Sequence, residues 1–168
     1  VCTVITNITE QNTSEFISSH PVSLDILQHQ IESVCRDINV AAVKIGLIDF
    51  ISLFEILKTW KNRWNCPIIL DPILKSTTGL NLQCEQSIRF LKENILPLVH
   101  ILTPNLIEAE ILLNRKIINE DDFNQAAQDL LHLGVSQVIL KGGHFTTAGE
   151  LSCDYFSSKE RSFWLSTK

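Results

Sequence analysis

A chain of 168 residues has the size of one ordinary domain, or of a large part of a bigger one. Hydrophobic residues make up 45% and charged residues 20%, enough apolar material for a real core, which excludes a disordered, collagenous or disulfide-scaffold class. The formal net charge is −5 and no basic run occurs, so neither nucleic acid nor an anionic membrane surface is expected as a partner, and no apolar run reaches membrane-spanning length.

Val1 to Thr6 is β-branched and reads as a strand, followed by a polar stretch from Asn7 to His20 that is too rich in Asn, Thr, Ser and Glu to pack on a core. Pro21 and Ser23 open a helix in which Leu27, Ile31, Val34 and Ile38 recur at helical spacing. Residues 41–45 form a short buried strand ending at Gly46, and Asp49 is placed to cap a second helix carrying Phe50, Phe54, Leu57 and Trp64. Pro67 to Leu70 is an apolar strand stopped by Asp71-Pro72, and a Lys, Ser, Thr and Gly loop occupies 75–79. A helix over 83–94, a strand over 98–102 and a helix from Asn105 follow. Asp121 and Asp122 lie in the first turn of a further helix, where the dipole favours negative charge. Gly134 ends that helix, Val135 to Leu140 is one more strand, and 151–156 with 161–165 read as a hairpin.

Strand and helix alternating in this way predict an α/β fold with a mostly parallel sheet covered on both faces, as one domain over residues 1–168. In such sheets ligands bind outside the carboxyl ends of the strands. Those ends carry Gln11, Lys44, Asp71, Asn105, Glu108, Lys141, Gly142, Gly143 and His144. Amide, carboxylate, ammonium and bare backbone amides converging on one rim suit a phosphorylated substrate with a divalent cation. Each residue also has a plainer reading. Asp-Pro marks a turn, Asn105 with Glu108 at i, i+3 makes a helix cap plus a solvated glutamate, and Gly-Gly is an ordinary turn. Lys44 can simply pair with a nearby carboxylate. No G-x-S-x-G or H-E-x-x-H occurs, which removes the serine-hydrolase and zincin readings. Five cysteines, odd in number and without a C-x-x-C, suggest reduced thiols and a cytoplasmic setting.

The ordered series VITNITEQNT, AVKIGLI, IILDPILKSTTG, ILTPNLIEAE and VILKGGH resembles the hydroxymethylpyrimidine and phosphomethylpyrimidine kinases of thiamine biosynthesis, which are ribokinase-like and similar to pyridoxal kinases. The resemblance implies a ribokinase-like three-layer α/β/α architecture, incomplete at both ends. It implies transfer from ATP to the hydroxymethyl group of 4-amino-5-hydroxymethyl-2-methylpyrimidine, and then to the monophosphate. By position, Gln11 would hydrogen-bond the aminopyrimidine, with Leu47 and Ile73 as apolar walls where the family usually has Met and Val. Asp71 and Glu108 would hold Mg²⁺, while Asn105, Lys141, Gly142 and Gly143 would face ATP. The family's Gly-rich GAGIQAD and GTGC segments do not occur in this sequence, and the chain does not begin with Met. In the family the anion hole and the base position belong to GTGC, which would follow beyond Lys168, so the resemblance assigns no catalytic residue to these 168 positions. The expectation is therefore an excised piece, inactive by itself because the group that stabilises the transferred charge is missing. Pyridoxal kinase and a non-catalytic pyrimidine- or nucleotide-binding homologue are the alternatives, and a homodimer is compatible with either.

Overall fold

The computed structural model describes residues 1–74, 84–143 and 152–167. The loop at 75–79, His144 and Lys168, the position beyond which the anion hole and base are expected, lie outside the described residues. The elements run β1 (Asn7–Gln11), β2 (Phe16–Pro21), α1 (Leu24–Asp37), β3 (Val43–Ile45), α2 (Phe50–Trp64), β4 (Ile68–Leu70), α3 (Glu85–Phe90), β5 (Ile101–Leu102), α4 (Leu106–Leu113), α5 (Glu120–Leu131), β6 (Gln137–Lys141), β7 (Ser152–Ser158) and β8 (Ser162–Thr167). A π-helical turn at Leu91–Ile95 and a 3-10 turn at Leu96–Leu98 extend α3. The main sheet has the order β3-β4-β5-β6-β7-β8; its first four strands are mutually parallel, and β7 and β8 are antiparallel.

Burial explains these assignments. Ile68, Leu70, Leu102, Val138 and Leu140 are fully buried, as expected for strands with helices packed over them. Helix α2 starts where expected: the Asp49 carboxylate accepts the Ser52 N–H at 2.8 Å and satisfies an orphan donor. Leu53, Ile56, Leu57 and Trp60 form its buried stripe. A reciprocal capping box, Asn119 with Asp122, opens α5. Gly134 has φ +106° and its α-carbon face lies against Pro97, a turn that a side chain would strain.

Three expectations are corrected. Val1 to Thr6 forms no strand, although its sequence is strand-like. It runs beside β3, but no backbone hydrogen bond joins Val1–Val4 to β3 among the described residues. Instead the Gln30 side chain bonds the amide and carbonyl of Ile5. Val1, Val4, Ala42 and Ile45 all border one cavity of about 830 Å³, and no ladder pairs Val1 to Thr6 with another strand among the described residues. Second, the polar stretch 7–20 is the β1–β2 hairpin, a separate two-stranded sheet with Ile8 and Ile17 exposed. Third, the expected strand 98–102 shrinks to Ile101–Leu102, because Leu96-Pro97-Leu98 continues the helical path as a 3-10 turn. No described helix is long and apolar enough to cross a membrane. All five cysteines are free.

Candidate functional site

The strand ends of β3, β4 and β6 bring three charged side chains together. Asp71 follows β4, and its backbone N–H bonds the Ile45 carbonyl at the end of β3. Its Oδ1 accepts Lys141 Nζ at 2.8 Å, and its Oδ2 lies 3.8 Å from Lys44 Nζ. Lys141 ends β6 and reaches over β5 to make this bond. Its backbone is fixed by donation to the Pro104 carbonyl at 2.8 Å, which also draws the start of α4 to the same rim.

Helix α4 contributes Asn105 and Glu108 through a capping box. The Asn105 side-chain oxygen accepts the Glu108 N–H at 2.9 Å, and Glu108 Oε2 accepts the Asn105 N–H at 2.8 Å. The cap reading is therefore realised, but the glutamate is not solvated: Glu108 is 3% exposed. Burial pushes its carboxyl above the ordinary glutamate range, opposed by the Asn105 backbone bond and the Lys141 ammonium and assisted by the Asp71 charge. Through-space influence from both Lys141 and Asp71 makes the three one electrostatic unit.

The remaining candidates divide. Leu47 and Ile73 lie in one neighbourhood: Thr6 and Asn7 side chains donate to the Leu47 carbonyl, and a methyl added at adjacent Gly46 would touch Ile73 Cδ1 at 3.7 Å. Gln11 is exposed at the far end of β1 opposite Phe16, and no described contact joins it to the charged cluster. Gly142 is buried for a packing reason, since a Cβ there would collide with the Cys153 carbonyl oxygen that its own N–H bonds at 3.1 Å. Gly143 sits at φ +54°, and no described residue lies within 4 Å of where its Cβ would be. Lys44, placed at a strand end and read as pairing with a nearby carboxylate, does pair with Asp71 and thereby joins the cluster.

No group of three or more metal-ligating side chains occurs among the described residues. Asp71 and Glu108 offer two carboxylates near two ammonium groups. That set suits a Mg²⁺ that keeps its water and phosphate ligands, not a protein cage.

Comparison with known proteins agrees with the architecture and the motif order. The hydroxymethylpyrimidine/phosphomethylpyrimidine kinase of Aquifex aeolicus is 33% identical over 142 residues, 84% of this chain and 56% of the relative. That of Bacillus subtilis is 34% identical over 141 residues, 83% of this chain and 52% of the relative. The chain thus spans about half the length of the curated relatives it matches. The crystal structure of the phosphomethylpyrimidine kinase from Clostridium difficile 630 superposes with TM-score 0.77 at 34% identity, covering 96% of this chain and 69% of that one. An ADP complex of Bacillus subtilis pyridoxal kinase shares the fold at TM-score 0.79 and 24% identity, over 98% of this chain and 62% of that one. Both are ribokinase-like, as the motif resemblance implied, and the α/β class agrees with the alternation of elements. The phosphomethylpyrimidine kinase family model matches residues 1–168, and the chain belongs to that family.

Proposed function

We propose that the protein to which this sequence belongs is a phosphotransferase that moves the terminal phosphoryl group of ATP, with Mg²⁺, onto 4-amino-5-hydroxymethyl-2-methylpyrimidine and then onto its monophosphate. The observation that carries this reading is the clustering of Asp71, Glu108 and Lys141 from three segments of the chain at one rim. In this reading Lys141 faces the ATP phosphates together with the start of α4, with Gly142 and Gly143 beside them. Asp71 and Glu108 hold Mg²⁺ largely through water, and the ion neutralises charge on the transferred group. Leu47 and Ile73 wall the pyrimidine, and Gln11 reads its amino group from the β1–β2 hairpin.

No covalent intermediate on the protein is called for; orientation and charge neutralisation supply the rate. Asp71 would hand the Lys141 ammonium to the nucleotide, since both anions compete for the same donors. Residues 1–168 are taken as a single partial domain. The free thiols support a cytoplasmic setting.

The test is calorimetric titration of this chain with ATP·Mg²⁺, with the pyrimidine alcohol and with pyridoxal, alongside an assay for phosphoryl transfer. Expected are binding of nucleotide and pyrimidine, a preference for pyrimidine over pyridoxal, a tenfold or greater loss of nucleotide affinity in Lys141→Met, and negligible turnover. Binding of neither ligand, or Lys141→Met binding ATP as well as the parent, would overturn the reading.

A further inference from the structure

We infer that Lys44 is the group that recognises the phosphate of a phosphorylated acceptor, a phosphomonoester carrying close to two negative charges. The inference rests on the proposed kinase reading and deepens it. Two ammonium groups border Asp71, and they are unequal. Lys141 is held at 2.8 Å and is 37% exposed; Lys44 stands 3.8 Å from the other oxygen and is 69% exposed. An ammonium has three donors. Lys141 commits one to a short bond, whereas Lys44 makes one long contact and keeps its donors available on the solvent side.

Position separates the two groups further. Lys44 lies on β3, two residues before Gly46 and three before Leu47, the stretch against which Ile73 and the Thr6 and Asn7 side chains converge. The cavity described above is bordered by Lys44, Gly46, Leu47, Thr6 and Asn7 at this end. Lys141 stands on β6, beside Gly142 and Gly143. One cation thus serves the apolar acceptor side and the other the glycine side, with Asp71 between them. An acceptor that is an alcohol brings no charge and needs no partner there. An acceptor that is already a phosphate ester brings two charges, and once Lys141 is engaged by nucleotide, Lys44 is the cation of the described cluster left to meet them. A charge-assisted bond of this kind discriminates the ester from the alcohol.

The plain alternative is a surface ion pair that does nothing beyond holding Asp71, which is usually worth little. Titrating this chain and its Lys44→Gln and Lys44→Arg variants, each saturated with ADP and Mg²⁺ so that Lys141 is engaged, with the pyrimidine alcohol and with its monophosphate ester at two salt concentrations decides between them. Lys44→Gln should weaken the ester by about tenfold or more and flatten its salt dependence, leave the alcohol unchanged, and be rescued largely by Lys44→Arg. Equal loss for both ligands would show that Lys44 only positions Asp71, and unchanged ester affinity would remove it from recognition; either overturns the inference while alcohol binding upholds the kinase reading. A parent chain that binds neither ligand overturns both.

Discussion

A carboxyl group 3% exposed, capping its own helix and facing both an ammonium and a carboxylate, makes Glu108 the most constrained titratable residue of the rim. Because burial raises its folded-state pKa above the unfolded value, the folded protein holds this proton more tightly than the unfolded chain does. The associated stability is fully present below the unfolded pKa and is lost as pH rises through the raised one. Glu108→Gln keeps the capping box, since glutamine serves in that position, and removes the titration. Urea melts from pH 4 to 8 should therefore show the stability difference between variant and parent shifting in the variant's favour as pH rises, then levelling off. Parallel curves would mean that the Glu108 carboxyl holds its proton no more tightly in the folded protein than in the unfolded chain. Residue types at the rim were legible in the sequence, because Asp-Pro, Asn105 with Glu108, and Lys-Gly-Gly each end or begin an element. Their partners were not. That Lys141 would cross β5 to reach Asp71, 70 residues away, depends on strand order, which no local pattern encodes.

Among the elements, helices followed their sequence signals better than strands. Asp49 caps α2, and negative charge opens α5, because a cap bond is made within four residues and needs nothing distant. Strands need a neighbour. Val1 to Thr6 has the side chains of a strand and lacks the ladder, while of residues 98–102 Leu98 ends a 3-10 turn and only Ile101 and Leu102 are strand. The β6–β7 junction shows how tight a realised ladder is. Gly142 lies so close to Cys153 that a methyl group would collide with its immobile backbone carbonyl. Gly142→Ala should cost on the order of 1–3 kcal/mol and lower Tm by several degrees, the hairpin of β7 and β8 detaching first. A Tm within a degree of the parent would show that this junction is free to shift. The Gly-Gly pair invited a phosphate reading; the structure gives its first glycine a packing duty, whatever its second one does.

At the scale of the molecule, the parallel strands β3 to β6 carry the polar rim at their carboxyl ends, while the antiparallel pair β7–β8 extends the sheet sideways. The α/β class was readable from alternation alone. The separate β1–β2 sheet was not, because a polar hairpin that leaves the core has no apolar periodicity to announce it. Both margins of the main sheet remain without a further ladder partner among the described residues. At β8 the aromatic residues Phe163 and Trp164 and the neighbouring Leu165 are 40%, 37% and 43% exposed; at β3 the apolar cavity opens. Such margins favour contact between copies, and net charge of one sign opposes it. The net charge is −5 near neutrality and vanishes near the sequence pI of 5.5. Light scattering across pH 5 to 8 should accordingly find the colloidal minimum close to pH 5.5, with particle growth relieved by Trp164→Lys. If that holds, handling of the protein is governed less by its buried interior than by two apolar borders and the modest surplus of acid groups that opposes their contact.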